Sequence, residues 1–243
     1  MSSDTRINNE PGFVLHTYPF KETSVVVEAF TRGHGRVALI ARGARRPASA
    51  LRGLVQPFAP LLLSWFGKTE LKTLHAAEWQ GGLAAPQGRA LMCGFYLNEL
   101  LLRLLARGDA HERLYDRYVE TLEQLAGDCS AGDYERILRR FEKDLLAEIG
   151  YGATFDADAD SGAPIEADVR YVFQPERGAL RSDGQPGCPV SGQTLIDLAA
   201  DRFDRPATLV EAKALMRALI NHTLGAKPLY TRQLLRELTE LTA

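Results

Sequence analysis

Eight basic residues stand between Arg32 and Lys72: Arg32, Arg36, Arg42, Arg45, Arg46, Arg52, Lys68 and Lys72. The segment holds one acid, Glu70, and no acid lies between Glu28 and Glu70. Neighbours in sequence therefore cannot neutralise all of these charges. The chemistry on offer is phosphate neutralisation with counterion release, which gives affinity but little sequence preference. The densest stretch, Arg42-Gly43-Ala44-Arg45-Arg46-Pro47, reads as a loop. A solvated face kept basic for solubility is the competing reading, but density and loop setting favour contact with nucleic acid. Tyr18, Phe20, Phe58, Trp65 and Phe66 are the aromatics that could add base stacking. Most aromatics on strands belong to a core, so no single one of them is assigned that role.

Other reactive groups form no constellation. There is no phosphate-binding Gly-rich loop ending in Gly-Lys-Ser/Thr, no His-Glu-x-x-His and no Gly-x-Ser-x-Gly. His75 and Glu78 are three apart on a predicted strand, which puts them on opposite faces. The run from Asp156 to Gly162 resembles a calcium loop, but Ser161 stands where its turn Gly belongs and Ala167 where its bidentate Glu belongs. It reads as a solvated acidic loop. Arg139 and Arg140 share a predicted helix. They can pair locally, Glu135 with Arg139 and Arg140 with Asp144. They can also clamp an anion beside an apolar groove, as an acidic, aromatic-ended peptide would require. Spacing alone favours the local pairs.

The elements that must position these groups change character near Gly81-Gly82. Before it the pattern is strand-like: Phe13 to Leu15, Ser24 to Phe30, Arg36 to Arg42 after a Gly33-His34-Gly35 hairpin signal, Leu54 to Trp65, and Leu71 to Trp79. Pro57 and Pro60 make the fourth of these a broken edge or bulged strand. Five strands in about seventy residues fit a small closed barrel of the OB type. After it, a period of about 3.6 marks helices at Gln87–Ala106, Ala110–Ala126, Asp133–Ile149, Gly192–Ala200, Ala207–Leu224 and Tyr230–Leu241. Asp133 stands as an N-cap and Gly150 as a C-cap. An acidic, then Pro/Gly-rich stretch at about 153–190 is an irregular insert, with a short hairpin at Val169 to Phe173. The fold class is thus α+β, with a five-stranded OB-fold barrel at 1–80 and a mainly α-helical domain at 81–243.

Charge follows the same division. Residues 1–80 carry ten Lys/Arg against six Asp/Glu, and residues 81–243 carry nineteen against twenty-five. A basic part and an acidic part suggest different partners. Asn98, Glu99 and Arg103 interrupt the longest apolar stretch, Leu91 to Leu105, which argues for a buried helix and against a membrane span. Met1 to Glu10 lacks an apolar secretory core. Cys93, Cys129 and Cys188 are scattered, so no disulfide framework is expected and a reducing, cytoplasmic setting fits.

Several short motifs stand in a telling order: Gly12-Phe13-Val14-Leu15-His16, Lys21-Glu22-Thr23-Ser24, Arg36-Val37, Ala41-Arg42-Gly43-Ala44-Arg45, Gln56-Pro57-Phe58 and Tyr96-Leu97-Asn98-Glu99-Leu100. Leu138-Arg139-Arg140-Phe141-Glu142, Gly150-Tyr151-Gly152 and Gly225-Ala226-Lys227-Pro228-Leu229 follow. None is specific alone, but together the set resembles the RecO family of bacterial recombination mediators along nearly the whole chain. The resemblance implies a non-enzymatic DNA repair protein without a cofactor, located in the cytoplasm with the nucleoid. It implies binding of single- and double-stranded DNA and annealing of complementary strands. It also implies partnership with RecR, docking on the C-terminal tail of single-stranded DNA-binding protein, and indirect service to RecA by helping to load it. Arg36, Arg42 and Arg45 fall in the family's DNA-binding barrel, with Arg46, Arg52 and Lys72 added from charge alone. Arg139 falls on the arginine that helps hold the tail, and Arg140 stands beside it, which moves the weight to the clamp. Some members carry a four-cysteine zinc knuckle after Gly-Tyr-Gly. Here Phe155 to Gly187 holds no cysteine, so no zinc is expected. An RNA-associated OB-fold protein is the alternative reading of the same barrel.

Overall fold

The structure, a computed structural model, describes residues 6–151, 155–225 and 227–234. These form two compact units. One takes in the described chain up to Asp128 together with the described residues from Leu229 onward; the other is Cys129–Pro228.

The first unit is built on a closed barrel of β1 (Arg6–Phe20), β2 (Ser24–Thr31), β3 (Gly35–Ala41), β4 (Leu61–Phe66) and β5 (Leu71–Trp79), in the order β1-β2-β3-β5-β4. Only β3 and β5 pair in parallel; the other ladders are antiparallel. This is the OB-fold barrel expected from the strand-like runs. Val27, Ala29, Leu39, Ala41, Leu63 and Trp65 fill it, at alternate positions of their strands. β1 is long enough to serve two neighbours because it bends at two irregularities, between Ile7 and Glu10 and between Val14 and His16. At the first, Asn9 takes a φ of 52°, a left-handed conformation that Asn tolerates, and its N–H donates to the Ser64 hydroxyl at 3.0 Å.

The first strand runs well beyond the expected Phe13 to Leu15, the fourth starts at Leu61 and not at Leu54, and two further readings change. Pro57 and Pro60 precede β4 and do not break it, and Leu61–Phe66 is no edge strand because it pairs with β1 on one side and β5 on the other. In β5 the register shifts so that Ser64 faces Ala76 but Trp65 faces Leu74. His75 is therefore an extra residue, and the alternation restarts after it. Leu74 and Ala77 are both buried, while His75 and Glu78 are both exposed instead of lying on opposite faces.

Helices α1 (Gly88–Leu104) and α2 (Glu112–Ala126) belong to the same unit. The rings of Tyr115 and Tyr118 on α2 pack against Phe13 and Phe30 of the barrel, with centroids 5.3–6.1 Å apart. Phe58 turns onto α1 with a φ of 70°, stacks edge-on to Phe95 at 5.1 Å, and lies over Gly94, where a Cβ would come within 2.8 Å of its ring. The motif Tyr96-Leu97-Asn98-Glu99-Leu100 gains a physical account here. Leu97 and Leu100 are fully buried. Buried Asn98 donates to the Leu15 carbonyl at 3.0 Å and accepts from the Tyr118 hydroxyl at 2.6 Å, joining α1 to β1 and α2. Glu99 accepts from the backbone N–H groups of Tyr230 and Thr231, each at 2.8 Å, and from the Thr231 hydroxyl at 2.6 Å. It caps the helical turn Tyr230–Leu234 as an N-terminal acid, and the Tyr96 hydroxyl accepts from Arg232 at 2.9 Å. The remainder of the helix expected over Tyr230–Leu241 lies outside the described residues. Glu99→Ala should release this turn, at a cost of about 1 kcal/mol. Faster amide exchange at Tyr230 and Thr231, with the barrel unchanged, is the expected readout.

The second unit holds α3 (Ala131–Leu146), β6 (Arg170–Gln174), β7 (Gly178–Arg181), β8 (Cys188–Ser191), α4 (Gly192–Ala199) and α5 (Pro206–Leu224). α3 starts earlier than expected: Ser130 is the N-cap and Asp133 its reciprocal partner in a capping box. At the other end it passes into a widened turn, Ala147–Tyr151, where Gly150 has a φ of 86°. The stretch expected as an irregular insert contains a three-stranded antiparallel sheet in the order β7-β6-β8. Asp158 is not a solvated loop acid. It is nearly buried and accepts from the N–H groups of Asp160, Ser161 and Arg181 and from the Ser161 hydroxyl. Such a hub ties the loop to β7.

Glu211 on α5 fastens helix to sheet. It accepts from the Ser191 N–H at 2.8 Å, the Ser191 hydroxyl at 2.6 Å and Arg170 at 2.7 Å. Burial alone would raise its pKa, but the Ser191 hydrogen bonds, with Thr194 and Arg170, outweigh it and pull the value down to about 2. Because the folded value is depressed, the stabilisation is present above the ordinary value of 4.5 and is lost as pH falls toward 2. Denaturant midpoints should decline across that window, and Glu211→Gln should flatten the decline.

Candidate nucleic-acid interface

Two connections meet at one end of the barrel. The β1–β2 turn, residues 21–23, lies beside the loop that leaves β3, since the Arg45 N–H donates to the Thr23 carbonyl at 2.8 Å. The Gly43 N–H faces the Ser24 hydroxyl at 3.4 Å. Gly43 has a φ of 67°, and its carbonyl accepts from the Arg46 N–H at 3.0 Å, closing a tight turn. Ala44 is buried in the barrel core, as is Val55 further along. These anchors fix the loop while its guanidinium groups stay in solvent. Arg42, Arg45, Arg46 and Arg52 are all exposed, and among the described residues none of the four has an ion-pair partner. Lys21 joins them from the turn, at a φ of 53°, with its ammonium 5.5 Å from the Phe20 ring centroid. Glu22 is the neighbouring acid.

The other basic residues of the segment are placed differently. Arg32 is held by Glu112 at 2.9 Å and Asp116 at 3.0 Å, both on α2. Arg36 is half-buried near the opposite end of β3, donates to the Leu102 carbonyl at 2.6 Å and lies 3.8 Å from Glu28. Burial lowers its pKa. Lys72 is half-buried on β5, in register with Leu39. The site residues expected from sequence therefore separate: Arg42, Arg45, Arg46 and Arg52 share one exposed loop, whereas Arg36 and Lys72 sit on the barrel wall. The acids that neutralise Arg32 lie some eighty residues away in sequence, where no local count could find them.

Among the aromatics, Trp65 and Phe58 are buried, Phe20 and Phe66 are half-buried, and Tyr18 is 47% exposed. Trp79, not singled out from sequence, is 63% exposed at the end of β5.

In the second unit Arg139 is buried and bidentate on the fully buried Glu142, through Nε at 2.7 Å and a second close contact from Nη2. Arg140 donates to Asp201 at 2.7 Å, with its guanidinium 5.7 Å from the Phe203 ring centroid. Lys143 binds the same Asp201, also at 2.7 Å. Glu135 pairs with Lys213 on α5. Arg139 thus pairs at i,i+3 with Glu142, and Arg140 pairs across elements with Asp201. Beside them lies a groove of about 300 Å³, lined by Lys143, Leu146, Tyr151, Leu198, Met216 and Leu219 among others. Among the described residues no group of three or more His, Cys, Asp or Glu is placed to hold a metal ion, and no helix is long and apolar enough to cross a membrane.

A closed five-stranded barrel of this strand order, followed by helices, places the chain among the OB-fold proteins. The family model for the recombination protein O N terminal domain matches residues 5–82, and that for its C terminal domain matches residues 85–233. The DNA repair protein RecO of Thiobacillus denitrificans is 82% identical over 99% of this chain and 96% of its own length. RecO proteins of Aromatoleum aromaticum and Nitrosospira multiformis are 54% and 53% identical, covering 99% and 96% of the chain and 100% and 96% of their own lengths. The chain belongs to the RecO family of DNA repair proteins, and its role lies in repair and recombination.

Proposed function

We propose that the chain is a non-catalytic mediator that binds single- and double-stranded DNA through its barrel and anneals complementary strands. The observation that carries this is the set of four exposed arginines, Arg42, Arg45, Arg46 and Arg52, without acid partners among the described residues. Held on two strands at once, such cations screen the repulsion between phosphate backbones. Arg36 and Lys72 contribute to the field of the barrel wall. In the cell the mediator works with RecR and helps load RecA on DNA coated by single-stranded DNA-binding protein. A salt titration tests the phosphate mechanism: affinity for duplex should fall linearly in log–log form, with a slope near −0.9 per phosphate contact. Affinity that is flat with salt would refute it.

The groove beside α3 supports docking of the acidic C-terminal tail of that binding protein. Its apolar wall suits an aromatic end, and Arg140 and Lys143 exchange Asp201 for the tail's carboxylates. Arg139 holds the helix face through Glu142 and shapes this site from inside. Arg140→Ala should weaken binding of an acidic, Phe-ended peptide severalfold while DNA binding is spared. Equal loss of both would contradict separate sites.

A further inference from the structure

We infer that the open part of the outer face of β1, β2 and β3, beyond the part that α2 covers, is a stacking platform for unpaired bases, with Tyr18 as its contact ring. The inference rests on the DNA reading above and names the form of DNA that this face takes.

β1 places His16, Tyr18 and Phe20 at alternate positions. Tyr18 is opposite Val26, Val26 is opposite Ile40, and Ile40 is opposite Thr73. The residues between them, Val27, Leu39 and Ala41, fill the barrel core, so this row faces outward. Val26 and Ile40 are half-buried and supply an apolar floor. Tyr18 keeps 47% of its surface open, although its ring is braced edge-on by His16 with centroids 4.5 Å apart. A braced ring loses little freedom on binding, which favours stacking over an unsupported one.

Charge around the row is complementary to a strand backbone. Phe20 pairs with Ser24 one step further along, and Lys21, Arg42, Arg45 and Arg46 lie in the connections there. Two residues along a strand span about 7 Å. A phosphate on the arginine loop therefore leaves its base within reach of Tyr18. Toward the other end, Arg36 faces Glu28 and Arg107 bridges Glu28 and Glu70, so the charges there offset one another. Glu28, the acid on this face, is buried and paired with Arg36 and Arg107. Duplex DNA keeps its bases stacked inside and cannot use the ring, so the platform acts on single strands only.

The test measures affinity of the full chain for an oligothymidine, an abasic strand of equal length and a hairpin duplex, with wild type, Tyr18→Ala and Tyr18→Phe. Tyr18→Ala should weaken oligothymidine binding about 10-fold, the scale of one stacked base. It should leave the abasic strand and the duplex unchanged, and Tyr18→Phe should match wild type. Unchanged oligothymidine binding by Tyr18→Ala, or equal loss on duplex and single strand, would overturn the platform while leaving the phosphate mechanism standing. Wild type that binds none of the three would overturn both.

Discussion

Replacing Arg42, Arg45 and Arg46 together with Ala should cut duplex affinity by on the order of 10²–10³-fold at low salt, with no loss of fold. The argument is a count of charges. Each phosphate contact contributes about 0.9 to the log–log salt slope on duplex and about 0.7 on single strands. Removing three should lower the slopes by about 2.7 and about 2. The fold is spared because these side chains are exposed and the loop's anchors, Ala44 and Val55, remain. Arg32→Ala is the internal control. Arg32 carries the same charge, but α2 already neutralises it, so its loss should change DNA affinity little. An equal effect from Arg32 and the loop arginines would mean that net charge, not the loop, governs binding.

Arg139→Ala should destabilise the second unit by about 3 kcal/mol, roughly the cost of breaking a buried ion pair. Glu142 has no exposed surface and takes two hydrogen bonds from the Arg139 guanidinium, so the substitution removes both from a buried charge. Arg139→Leu combined with Glu142→Leu should recover much of the loss, because two apolar groups of suitable volume replace a buried pair at little cost. Thermal unfolding of the single and double variants checks this. If Arg139→Ala leaves the melting temperature unchanged yet abolishes binding of an acidic, Phe-ended peptide, Arg139 is a surface clamp and its buried pairing has no energetic role.

What could be read in the residues beforehand divides by range. The barrel strands were legible because β-branched runs alternate with Gly turns, and alternation is a local property. The family was legible because its short motifs stand in order across the chain. Contacts made over long separations were not. Asp116 neutralises Arg32 and Asp201 holds Arg140, and neither could be guessed from i,i+4 spacing. The extra residue at His75 reverses the face of everything after it in β5, and no composition rule marks it. β7 and β8 are four residues each, too short for periodicity to register. In the candidate site the density of arginine was plain, but which arginines stay unneutralised depended on where α2 lands. Tyr18 stood among the aromatics named, but it shares an outward row with Val26 and Ile40, whereas Trp65 fills the barrel core.

The central claim is that exposed arginines on the barrel bring two DNA strands together by neutralising phosphate. Annealing of two complementary fluorescent oligonucleotides, followed with the protein at two salt concentrations, tests it most directly. Wild type should accelerate annealing at low salt, and higher salt or the Arg42/Arg45/Arg46→Ala variant should abolish the acceleration. No acceleration by wild type, even with RecR present, or acceleration indifferent to salt, would contradict the account and make RNA strands the next substrate to try.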